Sequence, residues 1–335
     1  MTAGAAAGLP RTALATLPTP LVAAPRLSEA AGVEVWIKRD DLTGLLLGGN
    51  KARKLEFLCG EALARGADTL VTGGGAGSNH VQLTAAAAAR LGLGCVAVCY
   101  GDAPGSEPLG LRLARRLGAG VVFTGSPERS SVDTRLEEVA AKLTADGRAP
   151  YVIPRGGASA VGAVGYAVAA VELAGQLAAA GLPRATLLLS TGSCGTQAGL
   201  VAGAALGPGG PGSPAAAVRP LDIVGVPVSR PPEECAERVA RLATGCAERL
   251  GSDMVFTGAD VKLLGGYLGP GYGKASAEGD EAALVAARTE GLVLDPVFTA
   301  KAMAALLAEA RRGSLAGPVV FLHTGGTPAA LASLP

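Results

Sequence analysis

The residues whose chemistry stands out first form the run Gly48-Gly49-Asn50-Lys51, which places a lysine directly after two glycines at the start of a helical pattern. The glycines allow a sharp turn and the close approach of a bulky ligand, and Asn50 is a favourable N-cap residue. An amine in the first helical turn lies beside the positive end of the helix dipole, which favours the neutral, nucleophilic form of Lys51. Such a lysine can form a Schiff base. A solvated helix lysine has the same local sequence, so the interpretation depends on the other sites.

A second candidate site is the run Thr191-Gly192-Ser193-Cys194-Gly195-Thr196, which joins a predicted strand to a predicted helix. Glycine and hydroxyl residues at a helix start present backbone N–H groups that can hold a phosphate dianion. The run lacks the Walker lysine and the strict Gly-x-Gly-x-x-Gly spacing, which disfavours a nucleoside triphosphate and gives weak support for a dinucleotide. The same residues are equally consistent with a tight strand-to-helix turn.

A third candidate site is the turn Ser78-Asn79-His80, which also follows a predicted strand. Its hydroxyl, amide and imidazole are donors at one helix start, where they can bind a carboxylate; a helix cap with a surface histidine is the alternative. An imine-forming lysine, a phosphate loop without a nucleotide signature and a carboxylate site together match what pyridoxal phosphate with an amino acid requires.

The elements that must position these sites alternate between strand and helix along most of the chain. Strands are predicted at 33–41, 68–72, 95–100, 120–124, 151–154, 185–190, 222–227 and 319–323, and helices at 51–65, 82–91, 110–117, 129–146, 162–180, 232–250, 277–290 and 301–312. This alternation predicts parallel sheets with helices on both faces. Two such units predict two doubly wound domains with a ligand cleft between them. Residues 1–10 are expected to be disordered, and residues 207–214 to form a loop.

Length and composition limit the classes of protein that fit the chain. Its 335 residues are enough for two domains, at roughly 100–200 residues each. The net charge of +1 gives no argument for binding nucleic acid or an acidic membrane surface. No apolar run reaches the roughly 18 residues of a membrane span, and the N-terminus lacks a basic start followed by an apolar core. We therefore expect a soluble, cytoplasmic protein.

Cysteine and histidine usage argues against several other kinds of site. The six cysteines include no Cys-x-x-Cys pair and lie in apolar or helical surroundings, so reduced thiols are expected rather than disulfides or zinc ligands. His80 and His323 are the two histidines, which disfavours a histidine-based metal site, and no metal is expected. The chain has no Gly-x-Ser-x-Gly nucleophile elbow.

Taken together, the motifs resemble one known family over nearly the whole chain, from about Pro18 to the C-terminus. The chain is similar to the D-cysteine desulfhydrase and 1-aminocyclopropane-1-carboxylate deaminase family. The matching motifs are Ile37-Lys38-Arg39-Asp40-Asp41-Leu42-Thr43-Gly44, Gly48-Gly49-Asn50-Lys51, Ser78-Asn79-His80, Thr191-Gly192-Ser193, Gly195-Thr196-Gln197-Ala198-Gly199, Gly269-Pro270-Gly271-Tyr272-Gly273, Asp295-Pro296-Val297 and His323-Thr324-Gly325-Gly326.

The resemblance implies fold type II of the pyridoxal-phosphate enzymes, the tryptophan synthase β-like fold, with pyridoxal 5'-phosphate as cofactor. It also implies a small amino acid as substrate and a homodimer as the usual assembly. The smaller domain of this fold is inserted into the larger one. We expect a small domain at 55–160 and a large cofactor-binding domain at 11–54 and 161–335.

The resemblance further implies roles for individual residues. Lys51 is then the Schiff-base lysine and the α-proton base, and it is catalytic together with Ser78 and Tyr272. Cofactor contacts are implied for Lys51, Lys54, Asn79, Gly192, Ser193, Gly195, Thr196 and Thr324. Substrate contacts are implied for Ser78, Asn79, His80, Tyr272 and Phe298.

Two positions indicate a branch within the family. The deaminase branch carries Glu beside the pyridine nitrogen where this chain has Thr299, and Leu where it has Thr324; both match the desulfhydrase branch. Without that carboxylate the ring is a weaker electron sink, which suits elimination of a good leaving group. Two departures from the family are Phe298, where Tyr is usual, and Val81-Gln82-Leu83, where a Val-Arg-Gln-like run is common.

We therefore expect β-elimination from a cysteine-like amino acid, giving pyruvate, ammonia and sulfide. The alternatives within the class are 1-aminocyclopropane-1-carboxylate deaminase, L-cysteate sulfo-lyase and a biosynthetic paralogue that acts on a modified amino acid. A non-catalytic ligand-binding module is the alternative from another class. A dinucleotide-binding oxidoreductase is disfavoured, since no acidic residue ends a strand about 20 residues after either glycine turn.

Overall fold

The computed structural model describes residues 2–207, 220–315 and 317–334, and these contain two open β-sheets. The six-stranded sheet has the order β1-β2-β10-β7-β8-β9, in which only the β1–β2 pair is antiparallel. Its strands are β1 (Leu21–Ala23), β2 (Val35–Lys38), β7 (Ala185–Thr191), β8 (Leu221–Pro227), β9 (Lys262–Leu263) and β10 (Val319–Leu322). The register pairs Ile37 of β2 with Phe321 of β10, and Phe321 with Leu188 of β7.

The second sheet has four strands, all parallel, in the order β5-β4-β3-β6. Its strands are β3 (Thr69–Gly74), β4 (Gly94–Cys99), β5 (Gly120–Phe123) and β6 (Pro150–Ile153). This sheet falls wholly within the predicted small domain at 55–160, and the six-stranded sheet falls wholly outside it. The domain boundaries themselves stay a prediction, and the one between residues 54 and 55 falls inside a helix.

Helices connect the strands in both sheets. They are α1 (Thr2–Ala7), α2 (Pro25–Ala31), α3 (Lys51–Ala64), α4 (Asn79–Leu91), α5 (Leu109–Arg116), α6 (Ser131–Ala145), α7 (Ala160–Ala179), α8 (Gly195–Leu206), α9 (Pro232–Arg249), α10 (Ala277–Glu290), α11 (Thr299–Arg311) and α12 (Thr327–Ala332).

Side-chain alternation along the strands shows helices on both faces of each sheet. In β7, Leu187 and Leu189 pack with Tyr166 of α7, whereas Leu188 packs with Met303 of α11 on the opposite face. The smaller sheet repeats the arrangement, because Leu70 of β3 packs in the cluster that contains α3 and α4, and the next residue, Val71, packs against α6. The prediction of two doubly wound sheets is confirmed.

The structure corrects several predictions about local elements. Residues 2–7, expected to be disordered, form α1, and Ala6 is buried in the same cluster as Ala163 of α7. Helix α4 begins at Asn79 rather than at 82, which brings Asn79 into its first turn, and α11 begins at Thr299 rather than at 301. The short elements β1, α2, β9 and α12 were not predicted. Residues 208–214 of the predicted loop lie outside the described residues.

Helix α7 is the central packing element of the larger sheet's helical layer. It is long and apolar enough to cross a membrane, but 56% of its most apolar window is buried inside the protein. It packs against α3, α8 and α9. The approach to α3 is so close that a Cβ at Gly165 would lie 2.2 Å from the carbonyl oxygen of Arg53. This contact fixes α3, and with it Lys51, relative to the larger sheet.

Candidate active site

A cavity of about 340 Å³ lies between the two sheets, within the range of small-molecule sites. The carboxyl ends of β3 and β7 both open into it, which is where ligands bind in parallel α/β sheets. Most of the predicted site residues line it together: Lys51, Ser78, Asn79, His80, Gly192, Ser193, Thr196, Tyr272, Phe298 and Thr324. The other two, Lys54 and Gly195, lie against each other at the start of α8.

Lys51 is the first residue of α3 and reaches into the cavity. The turn before it requires glycine, because Gly48 has φ +70° and a Cβ there would lie 1.9 Å from the carbonyl oxygen of Asp41. Burial lowers the pKa of Lys51 to about 8, although the nearby Asp295 carboxylate acts in the opposite direction. The amine is therefore much more often neutral near pH 7 than an ordinary lysine.

Asn50 connects the lysine to the phosphate loop, which corrects its predicted role as an N-cap. It makes no capping hydrogen bond and has helical backbone angles. Instead its Oδ1 accepts a hydrogen bond from Lys51 Nζ at 2.8 Å, and its Nδ2 donates to Thr196 Oγ1 at 3.0 Å. The side chain thus fixes the lysine relative to the first turn of α8.

The loop before α8 has the features of an anion site. Helix α8 begins at Gly195, so the N–H groups of its first turn lack partners within the helix. A Cβ at Gly195 would lie 2.9 Å from Lys54 Nζ, which shows how closely the ammonium approaches the loop. Cys194, just before the helix, holds a left-handed conformation at φ +74°, which is uncommon for a residue other than glycine.

Lys54 is completely buried, and no carboxylate among the described residues compensates its charge. Its Nζ donates a hydrogen bond to the carbonyl oxygen of Gly156 at 3.2 Å. Burial lowers the pKa of Lys54 well below its usual value, and the positive charges of Lys51 and Arg238 act in the same direction. Three cations around one glycine-rich loop leave a positive region that a bound anion would neutralise.

The opposite side of the same loop is held by donors from the segment before and within α9. Ser229 Oγ and Arg230 Nη1 both donate to the carbonyl oxygen of Gly192, at 2.7 and 3.0 Å, and Arg238 Nε donates to the carbonyl oxygen of Ser193 at 3.3 Å. These contacts occupy the carbonyl groups of the loop.

His80 is a buried, neutral imidazole rather than a surface histidine. It is 1% exposed, and burial together with Lys51 and Lys54 lowers its pKa well below the usual value. The Thr72 hydroxyl donates to the carbonyl oxygen of Ile153, so it accepts from His80 Nε2, which lies 2.9 Å away. The buried Nδ1, which has no partner within the described residues, is then an acceptor. This pattern does not support the predicted role of His80 as a donor to the substrate carboxylate.

Gln82, which belongs to the run 81–83 that departs from the family pattern, supports Asn79. Gln82 Nε2 donates to Asn79 Oδ1 at 3.0 Å, so the Asn79 amide presents its NH2 group to the cavity. Leu83 is buried in the hydrophobic core of the smaller sheet. In this chain Gln82 therefore supports Asn79, while Leu83 contributes to the core.

Tyr272 and Phe298 form an aromatic wall of the cavity. Their rings meet edge to face, with centroids 6.3 Å apart, and the Arg129 guanidinium carbon lies 4.1 Å from the Tyr272 ring centroid. A Cβ at Gly192 would lie 3.0 Å from the Phe298 ring, so this ring also packs against the loop before α8. Thr324 is 7% exposed and lines the cavity.

Asp295 is the one carboxylate that lines the cavity within the described residues. It accepts hydrogen bonds from the backbone N–H groups of Val297, Phe298 and Thr299, and from Thr299 Oγ1 at 2.7 Å. Thr299 is thereby engaged in this turn and does not line the cavity. Burial raises the pKa of Asp295.

The cavity has a basic lining that no sequence motif indicates. Four arginines and one tyrosine line it although no motif singled them out: Arg129, Arg155, Arg230, Arg238 and Tyr100. They come from loops and from α9, in the units of both sheets, so no local spacing signal links them.

Comparison with known proteins gives one consistent result. A family model described as pyridoxal-phosphate dependent enzyme matches residues 12–325. D-Cysteine desulfhydrases from Salmonella choleraesuis (strain SC-B67) and Klebsiella pneumoniae (strain 342) are 41% and 40% identical, each over 97% of both chains. The crystal structure of an ACC deaminase homologue has a TM-score of 0.88 at 34% identity over 99% of both chains. A fungal L-serine ammonia-lyase from Rhizomucor miehei, at 18% identity over 96% of this chain and 97% of its own, shares the fold with a TM-score of 0.68.

Proposed function

The chain belongs to the family of pyridoxal-phosphate-dependent enzymes, and from this we propose that it catalyses β-elimination from a cysteine-like amino acid, giving pyruvate, ammonia and sulfide. The observation that carries the proposal is the cavity that unites the half-buried Lys51 with a positively charged helix-start loop. Relatives named D-cysteine desulfhydrase, about 40% identical over nearly the whole chain, support the substrate class.

The cavity residues fit pyridoxal phosphate. Lys51 would carry the cofactor, and the loop residues Gly192, Ser193, Gly195 and Thr196 with Lys54 would hold its phosphate. Asn79 and Thr324 would contact the ring. The uncompensated charge of Lys54 is the strongest sign of this fit, because a buried ammonium without a carboxylate is costly until an anion binds. When bound, the cofactor withdraws electrons from the α-carbon of the amino acid.

The chain's own residues supply proton transfer and positioning. With a pKa of about 8 instead of 10.5, the free Lys51 amine is neutral about 300 times more often near pH 7. It can therefore accept the α-proton at Nζ, and the hydrogen bond to Asn50 orients it. Ser78 and Tyr272 line the same cavity, where they would contact the substrate. The reaction then breaks the bond between the β-carbon and sulfur, and sulfur leaves with the electron pair.

Deamination of 1-aminocyclopropane-1-carboxylate is the second candidate, because an ACC deaminase homologue has a very similar structure. The position of Asp295, the carboxylate that lines the cavity, favours β-elimination instead. Asp295 lines the cavity but accepts four hydrogen bonds from residues 297–299, so it is committed to the turn before α11. Neither Thr299 nor Thr324 supplies a carboxylate to the cofactor ring.

We also propose that the protein is a homodimer in the cytoplasm. The six cysteines are free thiols, and all are buried, which is consistent with a reducing compartment. Light scattering of the purified protein would test the dimer.

A direct assay tests the proposed function. The protein is reconstituted with pyridoxal phosphate, and its visible spectrum is recorded before and after addition of D-cysteine, L-cysteine, L-cysteate or 1-aminocyclopropane-1-carboxylate. We expect the visible band of the lysine-bound cofactor, its absence in Lys51→Ala, and pyruvate from a cysteine enantiomer. 2-Oxobutyrate from the cyclopropane substrate would support the deaminase. A band without any keto acid product would contradict both and leave a non-catalytic ligand-binding module.

A further inference from the structure

Tyr272, which would contact the substrate, stands in a segment without regular secondary structure. Residues 264–276 join β9 to α10 and form neither helix nor strand. Gly271 and Gly273, on either side of the tyrosine, have φ angles of +134° and +80°, and glycine has more backbone freedom than any other residue. The Tyr272 hydroxyl makes no hydrogen bond within the described residues. Contacts from outside the segment must therefore fix the position of this hydroxyl.

Lys301, in the first turn of α11, provides one of these contacts. Its Nζ donates hydrogen bonds to the carbonyl oxygens of Leu268 and Gly271, at 2.7 and 3.2 Å. The side chain is 0% exposed, and burial lowers its pKa although the Asp295 carboxylate acts in the opposite direction. A buried ammonium is costly unless polar groups compensate it, and here the carbonyl oxygens of the segment do so. Lys301 therefore ties the residue before Tyr272 to α11.

The start of α11 is itself held at the cavity. Asp295, which lines the cavity, accepts hydrogen bonds from the N–H groups of Phe298 and Thr299. The Phe298 ring meets the Tyr272 ring edge to face, with centroids 6.3 Å apart. Lys301 follows this turn by two residues, so one helix start fixes both Phe298 and the segment that carries Tyr272.

Arg129 holds the Tyr272 ring from the unit of the smaller sheet. It lies between β5 and α6, and its guanidinium carbon is 4.1 Å from the ring centroid, within the range of a cation–π interaction. Its Nη1 donates to the carbonyl oxygen of Ser229 at 3.0 Å, and Ser229 Oγ donates to the carbonyl oxygen of Gly192 at 2.7 Å. The contact with Tyr272 is thereby joined to the loop before α8.

We propose that Lys301 and Arg129 are positioning residues that hold the Tyr272 hydroxyl in the cavity, Lys301 through the backbone of the segment and Arg129 through the ring. The inference rests on the proposed function, in which Tyr272 contacts the substrate, and it holds for any β-substituent that leaves. Loss of either residue displaces the hydroxyl without removing it. A displacement of about 1 Å can lower a rate by about 100-fold.

The test is a double-mutant cycle on the reconstituted enzyme, with kcat and KM for pyruvate formation measured for each variant. Lys301→Met and Arg129→Gln are made alone and in combination with Tyr272→Phe. We expect each to lower kcat by about 10- to 100-fold when Tyr272 is present. In the Tyr272→Phe background each should change kcat by less than about twofold, because no hydroxyl is left to position.

Conservative variants test the contacts at the same two positions. Arg129→Lys keeps a cation beside the ring, and Lys301→Gln keeps an N–H donor, so each should lose less activity than its partner variant. Arg129 is only half-buried, so its variants test the inference even if Lys301→Met does not fold.

A second measurement needs no activity. Chymotrypsin cleaves after Tyr272 when the segment opens locally, so the cleavage rate at this site, followed by mass spectrometry, reports how firmly the segment is held. We expect Lys301→Met to raise this rate by at least about 10-fold, the value of a lost charged hydrogen bond.

Two control variants separate this effect from a general loss of stability or charge. Met303→Ala truncates another buried side chain of α11 but removes no hydrogen bond, and it should change the cleavage rate by less than about threefold. Arg135→Gln removes an exposed arginine of α6 that pairs with Glu138, and it should leave both kcat and the cleavage rate unchanged.

Losses of equal size with and without the Tyr272 hydroxyl would overturn the inference, because the two residues would then act directly on the substrate or only on the fold. An unchanged cleavage rate in Lys301→Met would overturn the role of Lys301 in holding the segment. No keto acid from the original protein with any of the four amino acids would reject the proposed function and the catalytic part of the inference. The cleavage rates would then still decide whether Lys301 holds the segment.

Discussion

Replacing Lys54 with methionine should change cofactor affinity and the stability of the cofactor-free protein in opposite directions. Methionine keeps the length of the side chain and removes its charge. The Lys54 side chain is 0% exposed and its Nζ bonds to a backbone carbonyl group. Burial and the charges of Lys51 and Arg238 lower the pKa of Lys54, and they outweigh the opposite effect of Cys194. The ammonium is therefore unfavourable in the empty protein and favourable once a phosphate lies beside Gly195.

The expected loss of cofactor affinity follows from the value of a charged hydrogen bond, about 1.5–3 kcal/mol, which corresponds to about 10- to 150-fold. The sign of the stability change follows from the pKa of Lys54, which lies below its unfolded value of 10.5. Between the lowered pKa and 10.5 the unfolded chain binds more protons, so the stability of the original protein rises with pH across that window. Lys54→Met should thus be the more stable protein near neutrality, and the difference should shrink as the pH approaches 10.5.

Two measurements test the expected loss of cofactor affinity and the expected gain in stability. Equilibrium dialysis gives the dissociation constant of pyridoxal phosphate, and urea unfolding of the cofactor-free protein at about pH 7 and about pH 9.5 gives the stability difference. Lys142→Met is the matched control, since this lysine is exposed on α6 and should change neither quantity. An unchanged cofactor affinity in Lys54→Met, within about twofold, would refute the assignment of Lys54 to the phosphate site.

Three further outcomes are expected. The rate at which the cofactor-free protein takes up pyridoxal phosphate should rise with pH around a midpoint of about 8, the pKa of Lys51; a midpoint near 10.5, read from the visible band at several pH values, would contradict the effect of burial. Gly165→Ala should lower the free energy of unfolding by about 1–3 kcal/mol, because the new alanine Cβ would lie 2.2 Å from a backbone carbonyl oxygen of α3. Gly175→Ala, at an open position of the same helix, should be neutral or stabilising in the same urea titration, and equal losses would argue against close packing. Gln82→Leu should weaken cofactor binding and shift the visible band, whereas an unchanged spectrum would show that its hydrogen bond does not orient the site.

The sequence predicted the helices and strands well where local residue patterns determine them. Strand and helix alternate with clear hydrophobic periodicity, and the observed helices α3, α7 and α9 begin and end within about two residues of the prediction. Lys51 and the loop before α8 were found for the same reason, because glycine, hydroxyl and amine residues stand at adjacent positions. The error at α4, which begins at Asn79, arose because a Ser-Asn-His turn resembles a loop as much as a first helical turn.

Long-range contacts account for what the sequence could not predict. Arg129 and Arg155 belong to one sheet's unit and Arg230 to the other, and only folding brings their charges to Tyr272. His80 was predicted to contact the substrate carboxylate, with a surface histidine as the alternative, and its neutral state follows from burial beside two lysines. Residues 2–7 are rich in alanine and glycine, and their helix is stabilised by packing against α7 rather than by their own pattern.

The central claim is that Lys51 carries the cofactor in a cavity whose anion site includes Lys54. The most direct test is to reduce the reconstituted protein with borohydride, which fixes the cofactor to the lysine that holds it, and to locate the added mass by peptide mapping. We expect the modification on Lys51 alone, and none in Lys51→Ala. Modification of Lys54 or of another lysine, with Lys51 unmodified, would contradict the account.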